Sequence, residues 1–243
     1  MPVLNLLKKM TSKKPPVCSA VIVAAGLSER CKGEDKLTYL INGKPVLAYT
    51  IEAFERSKFV SEIIVVTTED KLEKFAALCK KNRYKKVSTI IKGGSSRSKS
   101  VLNGVFAVRG KAKLIAIHDG ARPCIETELI DSTIHAAAAH HAAAPAVKVT
   151  STIKMVENGV IVRTVDRENL YEVQTPQIFR AEIIKAALTN AEKKSIPVTD
   201  DCMAAEIIGT SVHVVEGSHG NLKITCPEDL LFAKSILCGE EMR

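Results

Sequence analysis

Short runs of apolar, β-branched residues alternate along the chain with longer segments in which apolar residues recur every three or four positions. Most of the short runs are apolar on both faces, which is typical of strands buried in a parallel sheet. The longer segments have the period of amphipathic helices, and several begin with acidic residues or proline. The predicted strands are Ser19–Ala24, Glu62–Thr67, Lys86–Ile91, Leu114–His118, Ala146–Val149, Ser211–Val215 and Leu222–Ile224. The predicted helices are Pro45–Ser57, Lys71–Lys81, Ser98–Val108, Glu126–His141, Arg180–Glu192, Asp200–Ile208 and Pro227–Leu237.

This alternation predicts an α/β fold with a doubly wound, mostly parallel sheet that is covered by helices on both faces. The alanine-rich stretch at residues 136–144 is low in complexity. Because alanine is the best helix former, we predict that this stretch belongs to a packed helix.

One segment breaks the rhythm of strands and helices. Between Thr150 and Val173, two alternating β-type runs flank Glu157-Asn158-Gly159, and Asn-Gly is a strong signal for a hairpin turn. We therefore predict a β-arm at about residues 150–173, inserted into the α/β domain. Because a two-stranded hairpin is not stable on its own, we expect the arm to pack against something else, such as a second subunit.

Composition excludes several classes of protein. With 243 residues, 46% of them hydrophobic, the chain is typical of a soluble globular domain and not of a disordered or fibrous protein. The seven cysteines are odd in number and include no CxxC pair, which argues against a disulfide framework or a zinc knuckle and favours reduced thiols in the cytoplasm. The longest apolar run, at about residues 17–27, is shorter than the ~20 residues that cross a bilayer.

The net charge of +8 suggests anionic partners. Half of it lies in the first sixteen residues, where Lys8, Lys9, Lys13 and Lys14 occur without an acid. We predict that residues 1–16 form a basic, disordered leader and that residues 17–243 form a single domain. A second basic run at residues 80–86 ends a predicted helix, where cations favour the helix dipole. Because no aromatic series accompanies it, a solvated helix end is favoured over a nucleic-acid patch.

Ligands of open α/β sheets bind at the carboxyl ends of the strands. After the first strand, the small residues Ala24, Ala25 and Gly26 precede the cations Arg30 and Lys36, as a phosphate-binding loop requires. The loop has neither the P-loop pattern nor G-x-G-x-x-G, which argues against a P-loop enzyme and a dehydrogenase. Residue types alone leave open a tight turn with solvated cations.

Two later loops carry further candidates. Gly93-Gly94 is followed by hydroxyl residues and Arg97, a string that suits a base edge or an anion but equally a glycine-rich turn with a serine cap. Asp119 ends the fourth predicted strand, where one carboxylate is enough to help bind a hydrated Mg²⁺ ion on phosphates. Asp119 is equally suited to capping the turn before Pro123.

Together these strings resemble the 2-C-methyl-D-erythritol 4-phosphate cytidylyltransferases, enzymes of the non-mevalonate isoprenoid pathway. The resemblance runs from about Cys18 to Leu237 and implies a Rossmann-like fold of the nucleotide-diphospho-sugar transferase type. The motifs that carry it are Ala24-Ala25-Gly26 with Arg30 and Lys36, Gly93-Gly94 with Arg97 and Ser100, His118-Asp119-x-Ala121-Arg122-Pro123, Asp166-Arg167, Gln174-Thr175-Pro176-Gln177, Thr199-Asp200-Asp201 and Lys223-Ile224-Thr225.

The resemblance also implies a reaction and a set of site residues. The 4-phosphate of methylerythritol phosphate would attack the α-phosphorus of CTP and expel pyrophosphate, with Mg²⁺ or another divalent cation on the triphosphate. The implied catalytic residues are Arg30, Lys36 and Lys223. The implied nucleotide-binding residues are Ala24, Ala25, Gly26, Gly94, Ser95, Ser100, Asp119 and Gly120, with Asp119 also near the metal. The implied residues for the second substrate are Thr152, Arg167, Thr175, Thr199 and Arg122.

The resemblance further implies a homodimer in which Thr152 and Arg167 on the arm reach into the partner's site. The implied partners are the two small substrates, without nucleic acid or membrane. The sequence departs from the family at Ser95 and Lys99, where acids are frequent, at Asp35, where proline is frequent, and at Gly120, where alanine is common.

Two alternatives remain at this point. A ribitol 5-phosphate cytidylyltransferase has the same fold, but the Ala-Ala-Gly opening and the string that begins with Asp166-Arg167 favour the methylerythritol enzyme. A non-catalytic nucleotide-binding module is compatible with the basic charge. Such a module would not need Arg30, Lys36 and Lys223 on separate loops around Asp119.

Overall fold

Helices cover both faces of one central sheet in the computed structural model, which describes residues 17–26, 35–109 and 112–239. The predicted leader, residues 1–16, lies outside the described residues. The strands are β1 (Cys18–Ala24), β2 (Leu40–Ile41), β3 (Lys44–Pro45), β4 (Val60–Thr67), β5 (Val87–Lys92), β6 (Leu114–Asp119), β7 (Ala142–Lys148), β8 (Ile153–Glu157), β9 (Val160–Val165), β10 (Tyr171–Val173), β11 (Gln177–Arg180) and β12 (His213–Glu216). The helices are α1 (Val46–Arg56), α2 (Leu72–Asn82), α3 (Arg97–Ala107), α4 (Thr127–His140), α5 (Ala181–Lys193), α6 (Asp201–Ile207) and α7 (Pro227–Cys238).

The central sheet has the strand order β10-β7-β11-β6-β1-β4-β5, and β12 pairs with β7. Strands β5, β4, β1 and β6 run parallel to one another, and β12 is parallel to β7. Strand β11 is antiparallel to β6 and β7, and β10 is antiparallel to β7. The predicted α/β fold with a mostly parallel sheet is therefore confirmed.

The core lies in two layers, one on each face of the sheet. Along β1, Ala20 and Ile22 pack in a cluster with Phe54 of α1, whereas Val21 packs in a second cluster with Val101 of α3. Because β1 is central and covered on both faces, every second residue enters one core and the intervening residues enter the other. This explains why β1 is apolar at nearly every position, with Ser19 as the exception.

The prediction of a helix across the alanine-rich segment is wrong in its second half. Helix α4 ends at His140, His141 adopts a left-handed conformation with φ 76°, and β7 begins at Ala142. A left-handed residue ends a helix, and Pro145 disfavours the α conformation of the residue before it. Pairing with strands on both edges and burial in the sheet thus outweigh the helix propensity of alanine.

Three other local expectations change. Residues 222–224 do not form a strand, although the backbone N–H of Ile224 donates to the carbonyl oxygen of Ala121 (2.8 Å). Strands β10 and β11 were not predicted, because they are short and flank Pro176. The small hairpin of β2 and β3 was not predicted either, because each of these strands has only two residues.

Within the range predicted for the arm, β8 and β9 form a separate two-stranded antiparallel sheet, whereas Tyr171–Val173 at its end form β10 of the central sheet. Asn158 and Gly159 both have positive φ angles, 50° and 81°, as a type I′ hairpin turn requires. The apolar residues Val160 and Ile161 of the arm are 66% and 61% exposed in the single chain.

Among the described residues, the structure contains no helix of the length and hydropathy needed to cross a membrane.

Candidate active site

A cavity of about 520 Å³ lies at the carboxyl ends of β1, β5 and β6. This is the edge of the sheet at which ligands of α/β folds bind. The residues that line it include most of those predicted to contact the nucleotide. They are Val23, Ala24, Ala25, Gly26, Lys36, Leu37, Thr68, Gly94, Ser95, Ser96, Arg97, Ser100, Asp119, Ala121 and Lys223.

Asp119 is the centre of the charges in this cavity. The ammonium of Lys223 lies 2.9 Å from Asp119 Oδ2, and the Nε atoms of Arg97 and Arg122 lie 3.6 Å from Oδ1 and Oδ2. Burial raises the pKa of Asp119, but Lys223 and Arg97, with a smaller contribution from Arg122, outweigh it and hold this pKa well below its ordinary value. Asp119 is therefore ionised at neutral pH, although it is only 7% exposed.

Lys223 lies on an irregular segment that hydrogen bonds hold against the sheet. The buried side chain of Asn221 donates through Nδ2 to the carbonyl oxygen of Thr175 (2.9 Å). Arg122 Nη1 donates to the carbonyl oxygen of Asn221 (2.7 Å), so the neighbour of Asp119 also orients this loop. These contacts place the ammonium of Lys223 without regular secondary structure.

The glycine-rich loop after β5 packs closely against the loop after β1. A Cβ atom on Gly93 would lie 2.6 Å from Ser100 Oγ and 2.7 Å from Ala25 Cβ, so a larger residue does not fit there without displacing its neighbours. The N–H of Gly94 donates to Ser100 Oγ (3.0 Å), and this hydroxyl donates to the carbonyl oxygen of Ser96 (2.9 Å). Two serines thus fix the loop on the cavity.

Ser96 is also the N-cap of α3, because its Oγ accepts from the N–H of Lys99 (3.1 Å). The beginning of α3 therefore lies on the cavity wall, where the positive end of the helix dipole favours anions. Lys99 itself pairs with Glu192 of α5. The charge that this departure from the family adds is thus compensated within the chain.

Arg97, the first residue of α3, belongs to the glycine-rich string predicted to suit a base edge or an anion, but it was not among the implied site residues. Its Nη2 donates to Oδ2 of Asp201 (2.9 Å), which is the first residue of α6 and 1% exposed. Arg97 thereby joins a buried carboxylate to Asp119 of the cavity. The two partners are 104 residues apart in the sequence, and no local sequence pattern indicated the contact.

The buried side chains of His118 and Thr175 form hydrogen bonds that hold the backbone of Asp119 in position. His118 is fully buried, and its Nδ1 forms a hydrogen bond with Thr175 Oγ1 (2.9 Å). The same oxygen accepts from the backbone N–H of Asp119 (3.2 Å). Burial is the main reason that the pKa of His118 falls from 6.5 to about 3; Asp119 opposes this shift, while Arg122 and Lys223 add to it. His118 is therefore neutral at pH 7.

This shift predicts acid sensitivity of the fold. Because the unfolded chain binds the proton more tightly, the contribution of His118 to stability is present above pH 6.5 and is lost as the pH falls toward 3. Between pH 7 and pH 5, the free energy of unfolding of the wild type should fall by about 2 kcal/mol more than that of His118→Asn. Urea unfolding at both pH values measures this, with His135→Asn, on the exposed face of α4, as the control. Equal pH dependence of the wild type and His118→Asn would contradict the assignment.

The other predicted residues lie in different places. Lys36 lines the cavity, and the preceding Asp35 accepts from the N–H of Leu37 (3.2 Å) and pairs with Lys71 (3.1 Å), so an ion pair stands where proline is frequent in the family. Gly120 lies just behind the cavity, where its N–H donates to the carbonyl oxygen of Val23 (2.8 Å). Arg30 lies outside the described residues.

The residues predicted for the second substrate are spread more widely. Thr152 and Thr199 are exposed, and Arg167 donates to the carbonyl oxygen of Thr150 at the base of the arm. Arg122 and Thr175 lie behind Asp119. Within the described part of the chain, none of these five side chains lines the 520 Å³ cavity. The single chain therefore brings together most of the residues predicted to bind the nucleotide, but it does not bring the five residues predicted for the second substrate into the same cavity.

A divalent cation would find a single carboxylate here. Asp119 is the one acidic side chain among the described residues that line the cavity. In residues 17–26, 35–109 and 112–239, no group of three or more His, Cys, Asp or Glu side chains is arranged to hold a metal ion. The donor set fits an ion such as Mg²⁺ that keeps several waters and is held mainly by phosphates. It does not fit an ion that needs a complete protein cage.

A larger cavity of about 760 Å³ lies between α1, the beginning of α4 and the end of α7. Its charged lining mixes acids such as Glu52 and Asp131 with the bases Arg56 and Lys58. The loops after β1 and β5 do not contribute to its described lining. The smaller cavity is therefore the better candidate for phosphate binding, because Arg97 and Lys223 lie next to its single carboxylate and Lys36 also lines it.

Comparisons with known proteins agree with this geometry. Residues 18–239 match the family described as 2-C-methyl-D-erythritol 4-phosphate cytidylyltransferase. The chain is 43% identical over 221 residues to the enzyme of that name from Clostridium acetobutylicum, covering 90% of this chain and 96% of the relative. It is 41% identical over 226 residues to that from Halalkalibacterium halodurans, covering 93% and 99%. The solved structure of 4-diphosphocytidyl-2C-methyl-D-erythritol synthase from Anaerococcus prevotii is similar with a TM-score of 0.81 at 30% identity, covering 92% of this chain and 96% of that one.

Proposed function

Because the chain belongs to the 2-C-methyl-D-erythritol 4-phosphate cytidylyltransferase family, we propose that its 520 Å³ cavity binds CTP beside Asp119. The chain is a nucleotidyltransferase of isoprenoid biosynthesis that transfers CMP from CTP to methylerythritol 4-phosphate. The products are 4-diphosphocytidyl-2-C-methyl-D-erythritol and pyrophosphate. The observation that carries the assignment of the site is one ionised carboxylate beside Lys223 and Arg97 in a cavity that Lys36 also lines.

The two loops at the cavity are suited to the base and the ribose. Ala24, Ala25 and Gly26 have little or no side chain, so the nucleotide reaches their backbone groups. Gly94, Ser95 and Ser100 face the same space, and Gly120 supports it from behind through its bond to Val23. The proposed contacts are largely to the backbone, so the loss of an acid at Ser95 does not remove them.

The reaction needs the neutralisation of negative charge more than it needs a protein nucleophile. An oxygen of the 4-phosphate forms a bond to the α-phosphorus of CTP, and the bond from that phosphorus to the bridging oxygen of pyrophosphate breaks. We propose that Lys36 and Lys223 contact the α-phosphate and the leaving group, together with Arg30. Fixed cations in a site from which water is excluded stabilise this transition state because their charge does not have to reorganise.

We propose that Mg²⁺, or another divalent cation, accompanies the triphosphate. Asp119 would hold it, because this carboxylate stays ionised and a hydrated Mg²⁺ commonly needs only one or two protein carboxylates. When bound, the ion would neutralise charge on the phosphates. Lys223 shares the same carboxylate, at 2.9 Å from Oδ2, so Asp119 would also orient that ammonium.

We propose that a second subunit completes the acceptor site. The arm exposes Val160 and Ile161, which are suited to burial against another protein surface. Thr152 and Arg167 lie at the base of the same arm and do not line the described cavity of their own chain. In a homodimer with exchanged arms they would bind the methylerythritol phosphate of the partner site. Arg122, Thr175 and Thr199 would complete that site.

The proposal also covers the organisation of the whole chain. Residues 17–243 would act as one domain, and the basic leader of residues 1–16 would not contribute to the active site. A cytoplasmic location is supported by free, buried cysteines such as Cys18, Cys79 and Cys202. Small phosphorylated substrates account for the cations of the cavity, so neither nucleic acid nor a membrane is proposed as a partner.

The identity of the acceptor is tested by pyrophosphate release from CTP in the presence of Mg²⁺. We expect rapid release with 2-C-methyl-D-erythritol 4-phosphate and only background release with ribitol 5-phosphate or without an acceptor. Preference for ribitol 5-phosphate would assign the chain to that activity. If CTP binds but neither acceptor is used, the chain is a nucleotide-binding module and the proposal is wrong.

A further inference from the structure

Arg97 bridges two carboxylates that belong to different parts of the fold. Its Nη2 donates to Asp201 Oδ2 (2.9 Å), while its Nε lies 3.6 Å from Asp119 Oδ1. The contact with Asp201 is a charge-assisted hydrogen bond, and that with Asp119 is a longer ion pair. Arg97 lines the nucleotide cavity. Its orientation there is therefore set mainly by a residue outside the cavity.

Asp201 itself is held independently of Arg97. It is 1% exposed and begins α6, directly after the N-cap Asp200. Its N–H donates to Gln177 Oε1 (2.9 Å), and Gln177 Nε2 donates to Asp200 Oδ2 (2.8 Å). Strand β11 and the first turn of α6 thus fix the Asp201 backbone, so that its carboxylate lies in a defined position for the contact with Arg97.

The burial of Asp201 has an energetic cost that Arg97 offsets. Burial raises the pKa of Asp201, and Arg97 opposes this shift through its charge and its hydrogen bond. The second oxygen, Oδ1, is buried without a hydrogen-bond partner in the described structure. The net effect is a raised pKa, to which Asp119 and Asp200 also contribute. Because an unpaired buried carboxylate is costly, the 2.9 Å contact with Arg97 is the interaction that offsets the burial of Asp201.

We propose that Asp201 is a positioning residue for cytidylyl transfer: it fixes the guanidinium of Arg97 beside Asp119 at the wall of the nucleotide cavity. The inference rests on the proposed function of that cavity. Without the anchor, Arg97 would be free to turn onto Asp119 or into the space of the nucleotide. The same contact links two proposed binding regions. Thr199, which is proposed to bind the acceptor, lies two residues before Asp201, and Arg97 begins α3 directly after the loop proposed to bind CTP.

The test is a double-mutant cycle on kcat/KM. Asp201→Asn keeps the size of the side chain and removes the charge. We expect it to lower kcat/KM by about 10- to 100-fold, the scale of a misplaced active-site group. Because Asp201 acts through Arg97, the same substitution in an Arg97→Gln background should change kcat/KM by less than about 2-fold. Additive losses in the cycle would overturn the inference.

The control is Glu192→Gln. It breaks the exposed ion pair between Glu192 of α5 and Lys99, which lies in α3 as Arg97 does. It should leave kcat/KM within about 2-fold of the wild type, as expected for an exposed ion pair. If Asp201→Asn lowers only the free energy of unfolding and leaves kcat/KM unchanged, Asp201 has a structural role alone and the inference is wrong.

A second variant covers the case in which Asp201→Asn does not fold. Arg97→Lys keeps the positive charge but lacks the planar fork that reaches both carboxylates. It should lose nearly as much kcat/KM as Arg97→Gln, and wild-type activity of Arg97→Lys would overturn the inference. Measuring the dissociation constant of CTP by calorimetry for the same two single variants and the double variant separates the proposed function from the proposed role of Asp201. Absence of turnover in the wild type would contradict the proposed function. Coupling between the two substitutions in CTP binding would still support the role of Asp201.

Discussion

Replacing Lys223 by alanine should lower kcat by about 100- to 1,000-fold, the usual cost of removing one preorganised group that stabilises transition-state charge. The ammonium of Lys223 lies 2.9 Å from Asp119 Oδ2, on a segment that Asn221 and Arg122 hold in place. Removing it takes a fixed cation from the site while the loop remains anchored. Lys36→Ala should have an effect of the same order, because Lys36 lines the same cavity.

The fold should survive Lys223→Ala. The side chain of Lys223 is 36% exposed, and Asp119 keeps Arg97 and Arg122 as partners. The control is Lys92→Ala at the end of β5, because Lys92 also pairs with a carboxylate but is 62% exposed and is not among the described residues lining the cavity. Rapid-quench kinetics and circular dichroism measure kcat and folding. A kcat for Lys223→Ala within about 3-fold of the wild type would remove Lys223 from the proposed machinery.

Replacing Arg167 by alanine should lower kcat/KM for methylerythritol phosphate by about 100-fold, because the guanidinium proposed to bind the phosphate through two hydrogen bonds is lost. The affinity for CTP should change little, because Arg167 is not among the described residues that line the 520 Å³ cavity proposed to bind CTP. Arg163→Ala, in the middle of β9 on the same exposed arm, serves as the matched control. Steady-state kinetics and calorimetry give the two quantities.

Mixing subunits tests whether the arm acts on the partner. If sites are shared, a heterodimer of Lys36→Ala and Arg167→Ala subunits contains one site with both defects and one intact site. Random exchange should then restore about one quarter of wild-type activity, since half of the dimers are mixed and each has one intact site. Mixtures that stay inactive after verified exchange would place each site within one chain.

The sequence predicted those parts of the site that depend on local pattern. Strand β1 is apolar at nearly every position because it enters both core layers, and the loop after it was found for that reason. Asp119 was found because it ends a buried strand. Parallel strands end at one edge of a sheet, so residues from distant loops converge there.

The contacts that orient these residues could not be predicted in the same way. The bond between Arg97 and Asp201 joins residues 104 positions apart, and neither side chain has a local pattern that indicates its partner. The resemblance predicts Thr175 at the substrate, and it did not indicate the hydrogen bonds of its hydroxyl with His118 and with the N–H of Asp119. Such contacts depend on tertiary packing.

The alanine-rich segment shows the limit of helix propensity. Alanines 142–144 are buried in β7, between strands on both of its edges. Their small size suits a crowded central position, whereas their high helix propensity predicted the opposite structure. Sheet pairing and the left-handed His141 decided the outcome, and neither was visible in the composition of the segment.

This chain joins the α-phosphate of CTP to the phosphate of methylerythritol 4-phosphate. The most direct measurement follows two labels, with CTP carrying ³²P at either the α or the γ position and with methylerythritol 4-phosphate as the acceptor. We predict that the α label enters the diphosphocytidyl product and that the γ label leaves in pyrophosphate, with both transfers about 100- to 1,000-fold slower in Lys223→Ala. Recovery of the γ label in the acceptor, or of the α label only in unreacted CTP, would rule out transfer of CMP to this acceptor.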